Sequence, residues 1–192
     1  HGLLRRQRQM CIRDSMESLV LVREEHPEIH HNLTEMRRLS FVKMLDKYGY
    51  DTNLSHALIE KFLHFRHEVT LYPDVEECLH FLQGKYKVAS LTNGNANVMR
   101  LEIGKYFDVH LSSEEVGVKK PDRMMFHQVS RSLEVPHQRI LHVGDNPVDD
   151  VQGAVDAGLQ AIWINRSQNP WPLDSADPHE ISDLSELIEL LS

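Results

Sequence analysis

The chain has 192 residues, 41% of them hydrophobic and 26% charged, which is enough apolar content for one packed domain with a small insertion and is not a disordered composition. A formal net charge of -8 excludes broad nucleic-acid binding by charge attraction, yet leaves local recognition of a phosphate ester open. No apolar run approaches the roughly 20 residues that span a bilayer. Two cysteines, Cys11 and Cys78, are too few for a disulfide framework, so the expected setting is cytoplasmic, with neither a membrane nor a nucleic acid as partner.

Along the chain, residues 1–15 (HGLLRRQRQMCIRDS) lack periodicity and have no apolar stretch after their basic start, so they make a poor secretory signal and read as a non-native leader. Residues 16–70 form a helical region without strand candidates. Leu39, Val42, Met44 and Leu45 recur at helical spacing, as do Leu58, Ile59, Phe62 and Phe65, and Gly49 with residues 51–53 separates the two runs. Residues 71–192 alternate between strands and helices. Pro73 and Asp74 open a helix, with Glu77 at capping-box distance, and Gly84 closes it. A strand follows at 87–91, a turn at 93–95 and a helix to about Gly104. The pattern then predicts a strand at 109–112, a helix at 122–133, a strand at 140–143, a helix at 148–157 and a strand at 160–164. A loop and a short helix at 184–191 complete it. Such alternation implies crossover units and a parallel sheet. The thirteen histidines are scattered, and none has a convincing zinc spacing.

Three segments end predicted strands with polar groups. SLTNGN, residues 90–95, offers the Thr92 hydroxyl and free backbone N–H groups suited to phosphate oxygens, although Asn-Gly is also an ordinary turn. In GVKKPDRMMF, residues 117–126, Lys120 precedes Pro121, which favours an extended lysine that projects its ammonium, or else a solvated Lys-Lys pair before a helix. In LHVGDNPVDD, residues 141–150, Asp145 stands where a buried strand runs out, followed by Asp149 and Asp150. Helix capping explains the later acids but not Asp145. Carboxylates gathered at a strand's carboxyl edge are costly to desolvate without a cation or base, and a hard cation such as Mg²⁺ suits them.

Taken together, Thr, then Lys-Pro, then Gly-Asp with a second acid five residues later, on successive strand ends over roughly residues 72–165, resembles the haloacid dehalogenase superfamily. PEIHHNLTEMR (residues 27–37), LTNGNA and ILHVGD are similar to the branch of bacterial flavin mononucleotide phosphatases that also act on the phosphorylated ribitylamino-uracil intermediate of riboflavin synthesis. The resemblance implies an α/β, Rossmann-like parallel sheet with helices on both faces and an all-helical cap. It further implies a Mg²⁺-dependent phosphatase acting on a small phosphate ester. Thr92 and the Asn93 N–H would bind the phosphoryl group, and Lys120 would stabilise its developing charge. Asp145 would ligate the metal. Asp150 would act on the metal directly, through water, or by orienting Lys120, with Asp149 as the alternative second acid.

The chain departs from that pattern in one respect. The family's nucleophile and acid/base aspartates form a D-x-D on a central first strand, and no D-x-D occurs here. Asp14 lies in the leader without an apolar strand before it and is not accepted as a substitute. The expectation is an incomplete reading of a longer protein, lacking that strand, with two unpaired sheet edges, an apolar slot and no activity as given. Two rivals remain: a metal-independent 2-haloacid dehalogenase and a non-catalytic binding or regulatory module. In the helical region His30, His31, Arg37 and Phe41 are as readily structural as substrate-facing.

Overall fold

The structure, a computed structural model, describes residues 2–175 and 177–192, with side chains from Asp14 onward. Of the residues assigned to a leader, His1 and the side chains of residues 2–13 lie outside that description. The chain divides into two compact units, residues up to 68 with 94–96, and residues 69–93 with 97–192.

The first unit is helical: α1 (Gly2–Glu25), a 3-10 turn at Pro27–Ile29, α2 (Leu33–Lys47) and α3 (Leu54–Arg66). The Asn32 side chain starts α2 by accepting from the Glu35 N–H at 2.8 Å. Leu19 and Val22 of α1 pack with Met36 of α2 as the buried core, supported by Ile29, Leu33 and Leu39. The packed stripe of α3 is narrower than its apolar spacing predicts. Ser55 and Ile59 are buried, whereas Leu58 and Phe65 face solvent. Phe41 meets Phe62 edge-on at 6.1 Å, and the Arg37 guanidinium lies 5.2 Å from the same ring.

The second unit carries α4 (Val75–Leu82), β1 (Ala89–Thr92), β2 (Val109–Ser112), α5 (Ser113–Val116), α6 (Arg123–Leu133), β3 (Leu141–Gly144), α7 (Gly153–Asp156), β4 (Gln160–Ile164), β5 (His179–Ile181) and α8 (Leu184–Leu191). Every strand pairing is parallel, β1 with β2 and, in a second ladder, β3 with β4 and β4 with β5. Side chains alternate across these strands, and each face buries its own helices. One face packs Met125 and Phe126 of α6 and Ala154 of α7 against Leu91, Ile140 and Ala161. The other packs Cys78 of α4 and Leu187 of α8 against Leu141, Val143 and Ile162. Helices therefore cover both faces of a Rossmann-like α/β arrangement.

Among the described residues no backbone pairing joins β1 to β3. A cavity of about 1480 Å³ is lined by both strands along their length, from Ala89 to Thr92 and from Leu141 to Gly144. No helix among the described residues is long and apolar enough to cross a membrane.

Four local expectations change. The Asp74–Glu77 capping box is not formed, because Asp74 turns away to accept from Arg166 Nη2 at 2.6 Å and from the Leu184 N–H at 2.7 Å, joining α4 to the start of α8. The helix expected to reach Gly104 is two 3-10 turns, Val98–Arg100 and Glu102–Tyr106. The helix expected from 148 opens as a π-helical turn at Pro147–Gln152 before α7. Finally, β5 falls where a loop was expected.

Candidate active site

Strand β1 ends at Thr92, which lines the cavity. The next residue, Asn93, clamps a distant segment with its side-chain amide. Its Oδ1 accepts from the Lys120 N–H at 2.7 Å, and its Nδ2 donates to the Lys120 carbonyl at 3.0 Å and to Asp149 Oδ2 at 3.3 Å. A side-chain amide that satisfies both backbone groups of one residue fixes that residue's position and direction. The sequence assigned Asn93 only a backbone N–H role and missed this clamp.

Lys120 is buried, at 8% exposure. The Lys120–Pro121 bond is cis, and Asp122 then caps α6 by accepting from the Met124 N–H at 2.8 Å. The Lys120 ammonium donates to the Leu91 carbonyl at 2.9 Å and to Asp150 Oδ1. It thus bridges the end of β1 and the turn that follows β3. A buried ammonium needs such partners, since an unpaired charge in an apolar interior is expensive.

Asp150 is equally buried, and both of its oxygens have partners. Oδ1 also accepts from His142 Nε2 at 3.0 Å, and Oδ2 accepts from the Asn146 N–H at 3.1 Å. Burial pushes the Asp150 carboxyl up, but the hydrogen bond from His142 and the neighbouring Lys120 ammonium outweigh it and hold it at about 2. Because the folded value lies below the unfolded one, this group's contribution is fully present above about pH 4 and is lost as pH falls through the folded value. Acid titration of stability is therefore expected to show a loss on the order of 2 kcal/mol between about pH 4 and pH 2 that Asp150→Asn abolishes, measured by denaturant unfolding at fixed pH steps.

Asp145 follows β3 directly and is exposed at the carboxyl end of the strand. Its carbonyl accepts from the buried Trp163 indole N–H at 3.0 Å, fixing the backbone there. The Asn146 side chain accepts from the N–H groups of Val148 and Asp149, at 3.0 and 2.9 Å, and so starts the π-helical turn that brings Asp150 back under Gly144. Among the described residues no three His, Cys, Asp or Glu side chains converge as a ready-made metal cage. Mg²⁺ does not need one, because it is commonly held by one or two carboxylates with water and substrate phosphate supplying the rest. The exposed Asp145 carboxylate fits that donor set. Asp150 Oδ1 is taken by Lys120 and His142, whereas Oδ2 accepts only the Asn146 N–H.

Thr92, Lys120, Asp145 and Asp150 therefore line one cavity at the carboxyl ends of parallel strands, where open α/β sheets bind ligands. His142 and Trp163 escaped the sequence reading because each looks like an ordinary strand residue. In the helical unit, His30 Nε2 meets the Arg23 carbonyl at 2.8 Å and Arg37 Nη1 donates to Ser15 Oγ at 3.3 Å, so both have structural partners. His31 is half-buried.

Comparison with known proteins identifies the family. Residues 11–158 match the family described as haloacid dehalogenase-like hydrolase. The chain is 34% identical over 179 residues to the 5-amino-6-(5-phospho-D-ribitylamino)uracil phosphatase YigB of Escherichia coli, covering 88% of this chain and 75% of that protein. It is 31% identical over 157 residues to a phosphoserine phosphatase of Thermus thermophilus, covering 79% of this chain and 63% of that one. A crystal structure of 2-haloacid dehalogenase from Pseudomonas syringae pv. Tomato superposes with a TM-score of 0.84 at 35% identity, over 94% of this chain and 80% of that chain. The chain belongs to the haloacid dehalogenase-like hydrolase family.

Proposed function

We propose that this chain supplies the phosphate-binding and charge-stabilising part of a Mg²⁺-dependent phosphomonoesterase. Its substrate would be a small phosphorylated metabolite, either flavin mononucleotide or 5-amino-6-(5-phospho-D-ribitylamino)uracil. One observation carries the reading. A buried lysine ammonium, clamped through its backbone by Asn93 and through Nζ by Asp150, stands at the carboxyl ends of β1 and β3 in the cavity that Thr92 also lines. The likeness to the Escherichia coli uracil phosphatase supports the choice of substrate.

In this reading the Thr92 hydroxyl donates to a phosphoryl oxygen and the Asn93 N–H to another. Lys120 opposes the charge that builds on the phosphoryl group, an interaction worth most where water is excluded. Asp145 would hold Mg²⁺, which supplies further neutralisation of phosphate charge and fixes its orientation. In this reading Asp150 orients Lys120, the last of the three roles open to it from sequence, and its contact with the ammonium supports that role. The 192 residues contain no pair of aspartates two positions apart, so the carboxylate that attacks phosphorus and the one that protonates the leaving oxygen have no counterpart in this chain. In this reading a further strand bearing them would lie between β1 and β3, which both line the cavity.

Phosphate release from both candidate substrates tests the proposal. The chain alone is expected to show no turnover above background. Extended by an apolar strand ending in D-x-D-x-T ahead of the helical unit, it is expected to gain Mg²⁺-dependent turnover that Lys120→Met abolishes. Turnover by the chain alone, or none by the extended chain with folding intact, would contradict it. The likeness to a solved 2-haloacid dehalogenase favours a second reading. Chloride release from a 2-haloacid by the extended chain, insensitive to EDTA, would establish that one in place of the first.

A further inference from the structure

His142 has no part in the reading above, yet it touches the ion pair on which that reading depends. It is the second residue of β3, its side chain is 13% exposed, and Nε2 lies 3.0 Å from Asp150 Oδ1. An ionised carboxylate only accepts hydrogen bonds, so Nε2 carries the proton and donates. The imidazole stands edge-on to Phe126 at 5.3 Å and 86°, and Phe126 is fully buried on α6. The ring is thereby held by packing and cannot swing without opening the helix–sheet core.

The oxygen that receives His142 is the one that receives the Lys120 ammonium. The other oxygen takes the Asn146 N–H. Asp150 is therefore fixed from three directions, two of them independent of the lysine. Lysine is a point charge on a flexible four-carbon stem, so its aim is only as definite as its partners. Without His142 the carboxylate is free to turn about its remaining tether, and the Leu91 carbonyl, which the ammonium already engages, is left as its one fixed acceptor.

We propose that His142 is a positioning residue, which holds Asp150 so that the Lys120 ammonium is aimed into the phosphate site. The purpose assigned to it rests on the phosphatase reading, whereas the tether itself rests on the geometry alone.

The test separates these two. In the isotope-labelled chain, the nitrogen resonances of His142 are expected to show a protonated Nε2, and Lys120 a slowly exchanging ammonium signal, identified by its loss in Lys120→Met. His142→Phe keeps a ring against Phe126 and removes the donor. It is expected to move the Lys120 signal to the position of solvent-exposed lysines and weaken inorganic phosphate binding about tenfold. His142→Gln restores a donor and is expected to restore both. A Phe variant that is folded with an unchanged Lys120 signal would overturn the proposal. So would a wild-type His142 whose Nε2 lacks a proton, which decides the matter even if the Phe variant fails to fold. If the wild-type chain binds no phosphate while the NMR signatures appear as expected, the phosphatase reading fails and the tether stands.

Discussion

Asp150→Asn is expected to destabilise the chain by roughly 3–5 kcal/mol, because it leaves the buried Lys120 ammonium without its counter-charge. Asparagine matches aspartate in shape but not in hydrogen bonding. Both carboxylate oxygens accept, one from Lys120 and His142 and the other from the Asn146 N–H. Whichever way the amide is turned, its NH₂ group faces a donor. The loss corresponds to a drop in melting temperature of about 10 °C for a chain of this size. The double replacement Lys120→Met with Asp150→Leu removes both charges and is expected to recover most of that loss, since a buried ion pair is often no more stable than apolar groups of similar volume. Denaturant unfolding of the two single variants and the double variant measures the coupling directly. Additive losses would show that the pair does not act as one unit.

Gly144→Ala is expected to be nearly as damaging, although it adds one methyl group. A Cβ at Gly144 would lie 2.4 Å from Asp150 Cβ and Cγ and 2.7 Å from its Oδ2. Real Cβ atoms do not approach that closely, so the Asp150 side chain must leave. Its displacement breaks the contacts to Lys120, His142 and the Asn146 N–H together. The cost is the 1–3 kcal/mol typical of overpacking, with part of the ion-pair loss added. Unfolding measurements and the Lys120 ammonium signal report the two effects separately. Gly144 is required for close approach of the carboxylate, and an alanine variant with the Lys120–Asp150 pair intact would refute that requirement.

Much of this architecture was legible because burial imposes a pattern. Strand β2 falls at 109–112 and β4 at 160–164, where the alternation of strands and helices predicts them, and Gly158 precedes β4 with φ of 83°. Helix α6 was legible from the Asp122 cap and from Met125, Phe126, Val129 and Leu133 on one face. Strand β5 was not, because His179–Glu180–Ile181 offers one apolar residue and no alternation, and it is defined by pairing with β4. The two 3-10 turns before β2 follow from tertiary crowding. A Cβ at Gly104 would lie 2.9 Å from Met99 Cα and from the Val98 carbonyl, so these turns are tightly folded over each other.

The site was half legible for a similar reason. Thr92, Lys120, Asp145 and Asp150 sit in local motifs whose residue types announce their chemistry. The contacts that organise them do not. Asn93 reaches Lys120 across 27 positions, and Lys120 reaches Asp150 across 30. Nothing local to Asn93 shows that its amide will hold a lysine backbone, and His142 reads as a strand residue until β3 and the following turn fold together.

Inorganic phosphate binding to the wild-type chain and to Thr92→Val, with Mg²⁺ present, is the decisive test of a phosphate site at the end of β1. Valine keeps the shape of threonine and removes only the hydroxyl assigned to the phosphoryl oxygen. Measurable phosphate binding to the wild-type chain is expected, weakened about tenfold in the variant with folding unchanged. Equal affinity in the two proteins would contradict the placement of the phosphate at the end of β1. No binding to either would contradict the phosphate site itself.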